Sequence, residues 1–274
     1  MKASFGFKSA LRVGMVAVAG FVALGAVSQA QALSLSVTGN KYQSAPISFS
    51  NSQSTGVYNQ SMGGIQVNDG SNTFWVYCID PLTSYGTPNQ YATSSLYSYL
   101  NGGAYDAQFA QTPYTNKAPY YDNQDKTNIL NKLVALYSHA YNDATSTTSS
   151  TTKSAAFQYT VWELMGEAGY GSTTGGLRLG TGAVAGFKTQ VDAYLTALNT
   201  NTWTNVNGAN LSTANNFTYS VYTPTPTAGS QAFLRVVSST TTDTGNNVPE
   251  PGTLGLAAAA LAGLGYARRR KAAA

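Results

Sequence analysis

The chain has 274 residues, 43% of them hydrophobic and only 9% charged, with a formal net charge of +4. The basic excess sits at the two ends, and the stretch from Leu33 to Asn247 keeps eight basic and ten acidic residues, a balance near −2. The isoelectric point therefore gives no support to nucleic-acid binding, and one Cys with one His excludes an internal disulfide framework and a Cys/His zinc site.

In chain order, Lys2, Lys8 and Arg12 precede an apolar run, Val13 to Val27, and an Ala30-Gln31-Ala32 cleavage pattern. Residues 1–32 read as a secretory signal peptide. The body, 33–238, opens on short strands. Leu33, Leu35 and Val37 alternate with polar residues, as in a half-buried strand. Gly63-Gly64 and Asn68-Asp69-Gly70 flank "IQV" and predict a hairpin. "FWVYCID", Phe74 to Asp80, is apolar on both faces and predicts a central, doubly covered strand. A Tyr-, Gly- and Asn-rich stretch follows, with a short helix at Ser94–Leu100.

Asp125 or Thr127 caps a helix to about Asn142, carrying Ile129, Leu133, Leu136, Tyr137 and Ala140 at helical spacing. Asn142 to Thr152 reads as a loop. A second helix, about Ala155 to Gly166 with Ser154 as cap, puts Ala155, Phe157, Val161, Trp162, Leu164 and Met165 on one arc. Tyr159, Thr160, Glu163 and Glu167 fill the other arc. Gln158 falls inside the apolar arc, so its carboxamide needs a partner. A third helix spans about Val184 to Leu198. "FTYSVYTP" and "QAFLRVVSS" return to strands, and 239–247 is a polar linker. The fold class expected is α+β: a strand-rich, sandwich- or barrel-like body, with a helical subdomain between the Cys strand and the Gln helix.

The last segment, 248–274, has three parts: Val248-Pro249-Glu250-Pro251, an apolar run from Thr253 to Ala267, and the Arg268-Arg269-Arg270-Lys271 cluster. Fifteen helical residues reach about 22 Å, a short transmembrane helix. Positive charge after it holds that end in the cytoplasm, leaving the body outside. The two prolines keep the chain before it extended. This tail resembles the PEP-CTERM sorting signal of Gram-negative bacteria. The resemblance implies an inner-membrane intermediate, processing by an exosortase, and a final place at the cell surface or in its matrix.

Cys78, near the end of an apolar strand, and Gln158, facing the core from a helix, are explained together by one chemistry. A thiol held against a carboxamide with water excluded can displace ammonia and leave an internal thioester. "Y-C-I-D" (Tyr77 to Asp80) and "F-Q-Y-T-V-W-E" (Phe157 to Glu163) together resemble the thioester domain of bacterial surface adhesins. The order of elements matches from about Asn40 to Val237. The resemblance implies a Cys78–Gln158 thioester that captures surface amines or polysaccharide hydroxyls, in adhesion or biofilm. Trp75, Tyr77 and Trp162 would shield the bond, and Asp80 and Glu163 would flank it. No cofactor is implied. Two departures stand out. Tyr159 follows the Gln where the family often has Ala or Leu. Gln231-Ala232-Phe233-Leu234 stands where Gln-Asp precedes an aliphatic run.

A Cys–His protease built on Cys78, His139 and Asn142 has the right residue types in order. An apolar strand raises a thiol pKa, however, whereas such enzymes lower it at a helix N-terminus. Asp122-Asn123-Gln124-Asp125 reads as a turn and cap rather than a calcium loop. The expectation is a single-turnover covalent surface protein, not a turnover enzyme. The alternative is a non-covalent structural protein of the exopolysaccharide matrix. Tyr and Trp residues could stack on sugars, and no spacing locates such a patch.

Overall fold

The structure is a computed structural model and describes residues 33–50, 55–83, 90–110, 125–204, 208, 210–225 and 230–239. The expected signal peptide, the linker beyond Ser239 and the sorting segment lie outside them. The fold is α+β. Its strands are β1 (Leu33–Ser34), β2 (Ser36–Asn40), β3 (Gln43–Ser50), β4 (Thr55–Met62), β5 (Ile65–Asn68), β6 (Thr73–Cys78), β7 (Gln90–Ser95), β8 (Leu177–Leu179), β9 (Phe217–Thr225) and β10 (Phe233–Ser238). Its helices are α1 (Leu96–Asn101), α2 (Ala104–Phe109), α3 (Lys126–Thr145), α4 (Thr151–Gly166) and α5 (Ala185–Thr200).

Seven strands form one antiparallel sheet in the order β1-β7-β9-β10-β6-β5-β2. Its two edge strands, β1 and β2, are consecutive in the chain, with only Leu35 between them. A flat sheet cannot satisfy that, because one residue cannot span six strand spacings. The sheet must curl until its edges meet, which makes it a nearly closed barrel. The expected single strand from Leu33 to Val37 is therefore two. Leu35 is buried at the seam, while Val37 on β2 is 44% exposed. A second sheet, β4-β3-β8, uses β8 from the Gly-rich stretch that periodicity does not reveal. The hairpin across Asp69 forms as β5–β6, with the Asp69 carboxylate accepting from Ser71 N and Asn72 N.

Three of the helices start where a side chain satisfies their first turn. Ser95 caps α1, Asp125 caps α3 and Ser150 caps α4, each accepting a backbone N–H three residues on. The expected loop from Asn142 to Thr152 is shorter, because α3 continues to Thr145 and α4 begins at Thr151. Ser154 is thus inside α4 and not its cap. It accepts from Gly64 N at 2.9 Å and shares a hydrogen bond with the Tyr77 hydroxyl at 3.1 Å. The two-arc reading of this helix is also corrected: every residue from Ser154 to Glu167 is buried. The helix runs through the core, walled by the barrel, β4, α3 and α5. Its acidic residues are held internally, the Glu167 carboxylate accepting from Gly176 N and Leu177 N and Glu163 from Gly171 N.

β6 lies between β10 and β5, the central placement expected of "FWVYCID". Its alternate residues divide. Tyr77 packs on the helices, its ring 4.6 Å from Phe157 and 6.3 Å from Tyr137. Phe74, Val76 and Cys78 take the other face, where Phe74 stacks with Tyr222 and beneath the Arg235 guanidinium. The chain passes from β4 to β5 through Gly63 at φ +142°, where a Cβ would sit 1.9 Å from the Lys41 carbonyl oxygen.

Two outcomes follow. Gly63→Ala should lower the unfolding free energy by at least about 2 kcal/mol, measured by urea denaturation; a variant within about 0.5 kcal/mol of wild type refutes the corner. Burial holds the Glu163 carboxyl pKa well above its usual 4.5, with the nearby Glu167 charge adding to it. The folded chain then keeps a proton that the unfolded chain releases above that value, so stability falls as pH rises, by up to about 1.4 kcal/mol per pH unit for one group. Glu163→Gln should be more stable than wild type at neutral pH, with a gain that shrinks towards pH 4.5. A gain independent of pH would contradict this origin.

Candidate functional site

Cys78 is the last residue of β6, and its two neighbouring strands do not reach equally far. On one side β10 pairs through Phe233↔Cys78, and Ile79 N continues the ladder to Ala232 O at 3.1 Å. On the other side β5 begins at Ile65, opposite Val76. Peptide groups along a strand point alternately to either side. With Ile79 turned to β10, the N–H and C=O of Cys78 point to the side where β5 has already ended.

The Gln158 carboxamide, reaching in from α4, takes that place. Cys78 N donates to Gln158 Oε1 at 2.9 Å, and Gln158 Nε2 donates to Cys78 O at 2.6 Å. Gln158 is 1% exposed, so its inward orientation and its need for a partner both hold. Its partner is the cysteine backbone.

A different carboxamide meets the sulfur. Cys78 Sγ lies 2.5 Å from Gln231 Oε1. That is closer than O–H···O hydrogen bonds usually run, about 2.7–2.8 Å, although sulfur is the larger atom. With a C=O bond of about 1.2 Å, the Gln231 carbonyl carbon is within about 3.7 Å of the sulfur, near attack distance. Gln231 Nε2 donates to Asp80 O at 3.1 Å, which fixes the plane of the amide. Asp80 in turn ties down the turn after β6, its carboxylate accepting from Leu82 N at 2.9 Å, Thr83 N at 3.0 Å and Gln108 Nε2. Burial raises the Asp80 carboxyl pKa against the effect of these bonds. Burial, and then the Asp80 charge, push the Cys78 thiol well above the usual range. The sulfur is a neutral thiol at physiological pH.

Cys78, Gln158 and Gln231 share a pocket of about 230 Å³ with Trp162, Gln60 and Thr83. None of the described residues lining it is charged. Trp162 therefore stands beside the reacting groups. Tyr77 does not, because it faces the helices. Trp75 is farther along the strand, its ring under Lys41 Nζ at 5.5 Å and its carbonyl accepting from Tyr141. Glu163 faces Tyr159 and the Gly171 backbone and does not line the pocket. His139 stacks on Trp203 with ring centroids 4.5 Å apart, and its Nδ1 is 2.7 Å from Leu211 O. That leaves no Cys78–His139 contact for a protease. Sequence reading passes over Gln231 as a site residue, although its signal, a Gln before an aliphatic run, is visible there. Gln108 carries no signal at all.

Three comparisons bear on the chain. No curated protein matches it. Among solved structures, the N-terminal thioester domain of fibronectin-binding protein SfbI from Streptococcus pyogenes matches at 13% identity, over 71% of this chain and 92% of that one, with a TM-score of 0.37. A likeness that distant carries no weight for the site. The family model of the PEP-CTERM protein-sorting motif matches residues 247–271. Among the described residues no helix is long and apolar enough to cross a membrane, and the apolar run of the tail lies outside them. The chain carries a PEP-CTERM protein-sorting motif, the mark of an exported protein that is processed at the membrane by an exosortase.

Proposed function

We propose that this exported protein holds an internal thioester between Cys78 and Gln231 and uses it once, to capture an amine or hydroxyl on a neighbouring surface. The observation that carries this is the 2.5 Å approach of the buried Cys78 Sγ to the buried Gln231 carboxamide, in a pocket with no charged residue among the described ones that line it. This reading takes Gln231 as the acyl donor in place of Gln158, the partner inferred from sequence. Gln158 has both polar atoms committed to the Cys78 backbone.

In formation, the sulfur attacks the Gln231 carbonyl carbon. The S–C bond forms, the C–N bond breaks, and the thiol proton leaves on ammonia. In capture, the nitrogen of an amine (or the oxygen of a hydroxyl) bonds to the same carbon, the C–S bond breaks, and the displaced proton restores the Cys78 thiol. No cofactor enters either step, and folding supplies the proximity. A thiol of high pKa is a poor leaving group. The burial that keeps Cys78 protonated therefore also slows hydrolysis and keeps the bond in reserve. Trp162, itself buried, limits water at the reacting atoms. Cell-surface or matrix placement, and a role in adhesion or biofilm, belong to this reading. The sorting motif supports export.

Intact mass of the purified protein tests it. The wild type should be lighter than its sequence by one ammonia, and methylamine should convert it to a stable adduct on Gln231. Cys78→Ala and Gln231→Ala should each abolish the deficit while the protein stays folded. A full-mass wild type whose Cys78 alkylates normally once unfolded would favour the non-covalent matrix protein.

A further inference from the structure

We infer that Gln158 is a positioning residue: its carboxamide replaces the missing strand beside Cys78 and so aims the sulfur at Gln231. The inference rests on the thioester reading and adds a part that reading does not need.

The geometry is that of a strand rung made by a side chain. An adjacent strand would offer Cys78 one acceptor and one donor in the same plane. Gln158 offers both from one rigid amide, at 2.9 and 2.6 Å. Beyond Val76 no β5 residue pairs with β6, so this amide closes that edge of the Cys78 peptide.

Gln158 itself is held. One turn earlier on α4, Ser154 bonds Gly64 N and the Tyr77 hydroxyl, and Phe157 lies against the Tyr77 ring. The helix therefore grips β6 at two successive residues, Tyr77 through Ser154 and Phe157, and Cys78 through Gln158. With the backbone fixed from one edge by Gln158 and from the other by β10, the Cβ–Sγ bond is left to point at Gln231. A displacement of about 1 Å at a reacting atom can cost about a hundredfold in rate. An apolar residue at 158 would leave the Cys78 N–H and C=O without partners beside a pocket, open to water.

The discriminating variant is Gln158→Glu. A protonated carboxyl keeps one acceptor and one donor and can make both bonds, whereas the ionised form presents two acceptors to the Cys78 carbonyl. The full chain would be refolded across a range from about pH 4 to about pH 8, and the ammonia-deficient fraction read by intact mass and methylamine uptake. Wild type should form the bond across that range. Gln158→Glu should form it at the acid end and lose it at least about tenfold as the carboxyl ionises. Gln158→Met should be at least about tenfold slower at every pH, with near-ultraviolet circular dichroism reporting a folded protein. Near-ultraviolet circular dichroism across the same pH range separates the two roles: an aiming role loses the deficit while Gln158→Glu stays folded, whereas a purely structural role loses the deficit only where the fold is lost.

Wild-type behaviour of Gln158→Glu at every pH overturns the inference. So does loss of the deficit in Gln158→Glu at all pH values together with its survival in Gln231→Ala, which would make Gln158 the acyl donor. A wild type with no deficit removes the thioester reading itself, and this role with it.

Discussion

The peptide edge of Cys78 has no strand beside it on the side where β5 ends, and the arrangement around the sulfur follows from how that edge is filled. A buried N–H and C=O must find partners. They find them in the Gln158 amide, which requires a helix passing through the core close to the end of β6. That requirement explains why α4 is buried on all sides and carries Ser154, Phe157 and Gln158 on the face that meets β6. The same ladder, continued on the other edge by Ile79 N to Ala232 O, brings Gln231 next to the sulfur. The two carboxamides thus have different tasks, one on the backbone and one on the thiol.

Electrostatics at the site are quiet by construction. Among the described residues no charged one lines the pocket, and the neighbouring Asp80 carboxylate is enclosed by Leu82 N, Thr83 N and Gln108. A neutral surrounding leaves the thiol protonated and the leaving group poor. On the proposed thioester reading, such a site suits a bond that must wait for a target.

Much of this was legible from residues close in sequence. "FWVYCID" reads as a central strand because neither of its faces is polar. Gln158 reads as inward because Met165 and Trp162 flank it on the helical wheel. The tail is readable because Val248-Pro249-Glu250-Pro251, the apolar run and the arginines form one contiguous signal. What stays hidden depends on contacts far apart in the chain. Gln231 lies 153 residues beyond Cys78, in a short link before β10 with no periodicity to mark its direction. The barrel seam at Leu35 is invisible because the alternation of Leu33, Leu35 and Val37 fits an unbroken strand equally well. The second arc of α4, with Tyr159, Thr160, Glu163 and Glu167, carries no local sign that it is buried, and α5 and residues 171–177 meet it only in the folded chain. Ser150 and Ser154 are both acceptable caps by composition, and only the tertiary use of Ser154 by Gly64 and Tyr77 decides between them.

The position of Gln231 has a mechanical consequence. On the proposed chemistry the captured group stays on the Gln231 side chain, two residues before β10 begins at Phe233. The sorting motif begins at residue 247, beyond the end of that same strand. Tension between a captured target and the C-terminal segment would therefore run along the backbone through β10 and the linker. It would pass through that one strand of the barrel and through none of the other strands or the helices. An acyl donor at Gln158 would instead put α5, β9 and their connections in line with the load. With Gln231, the rest of the fold prepares the bond and then stands outside the path of force.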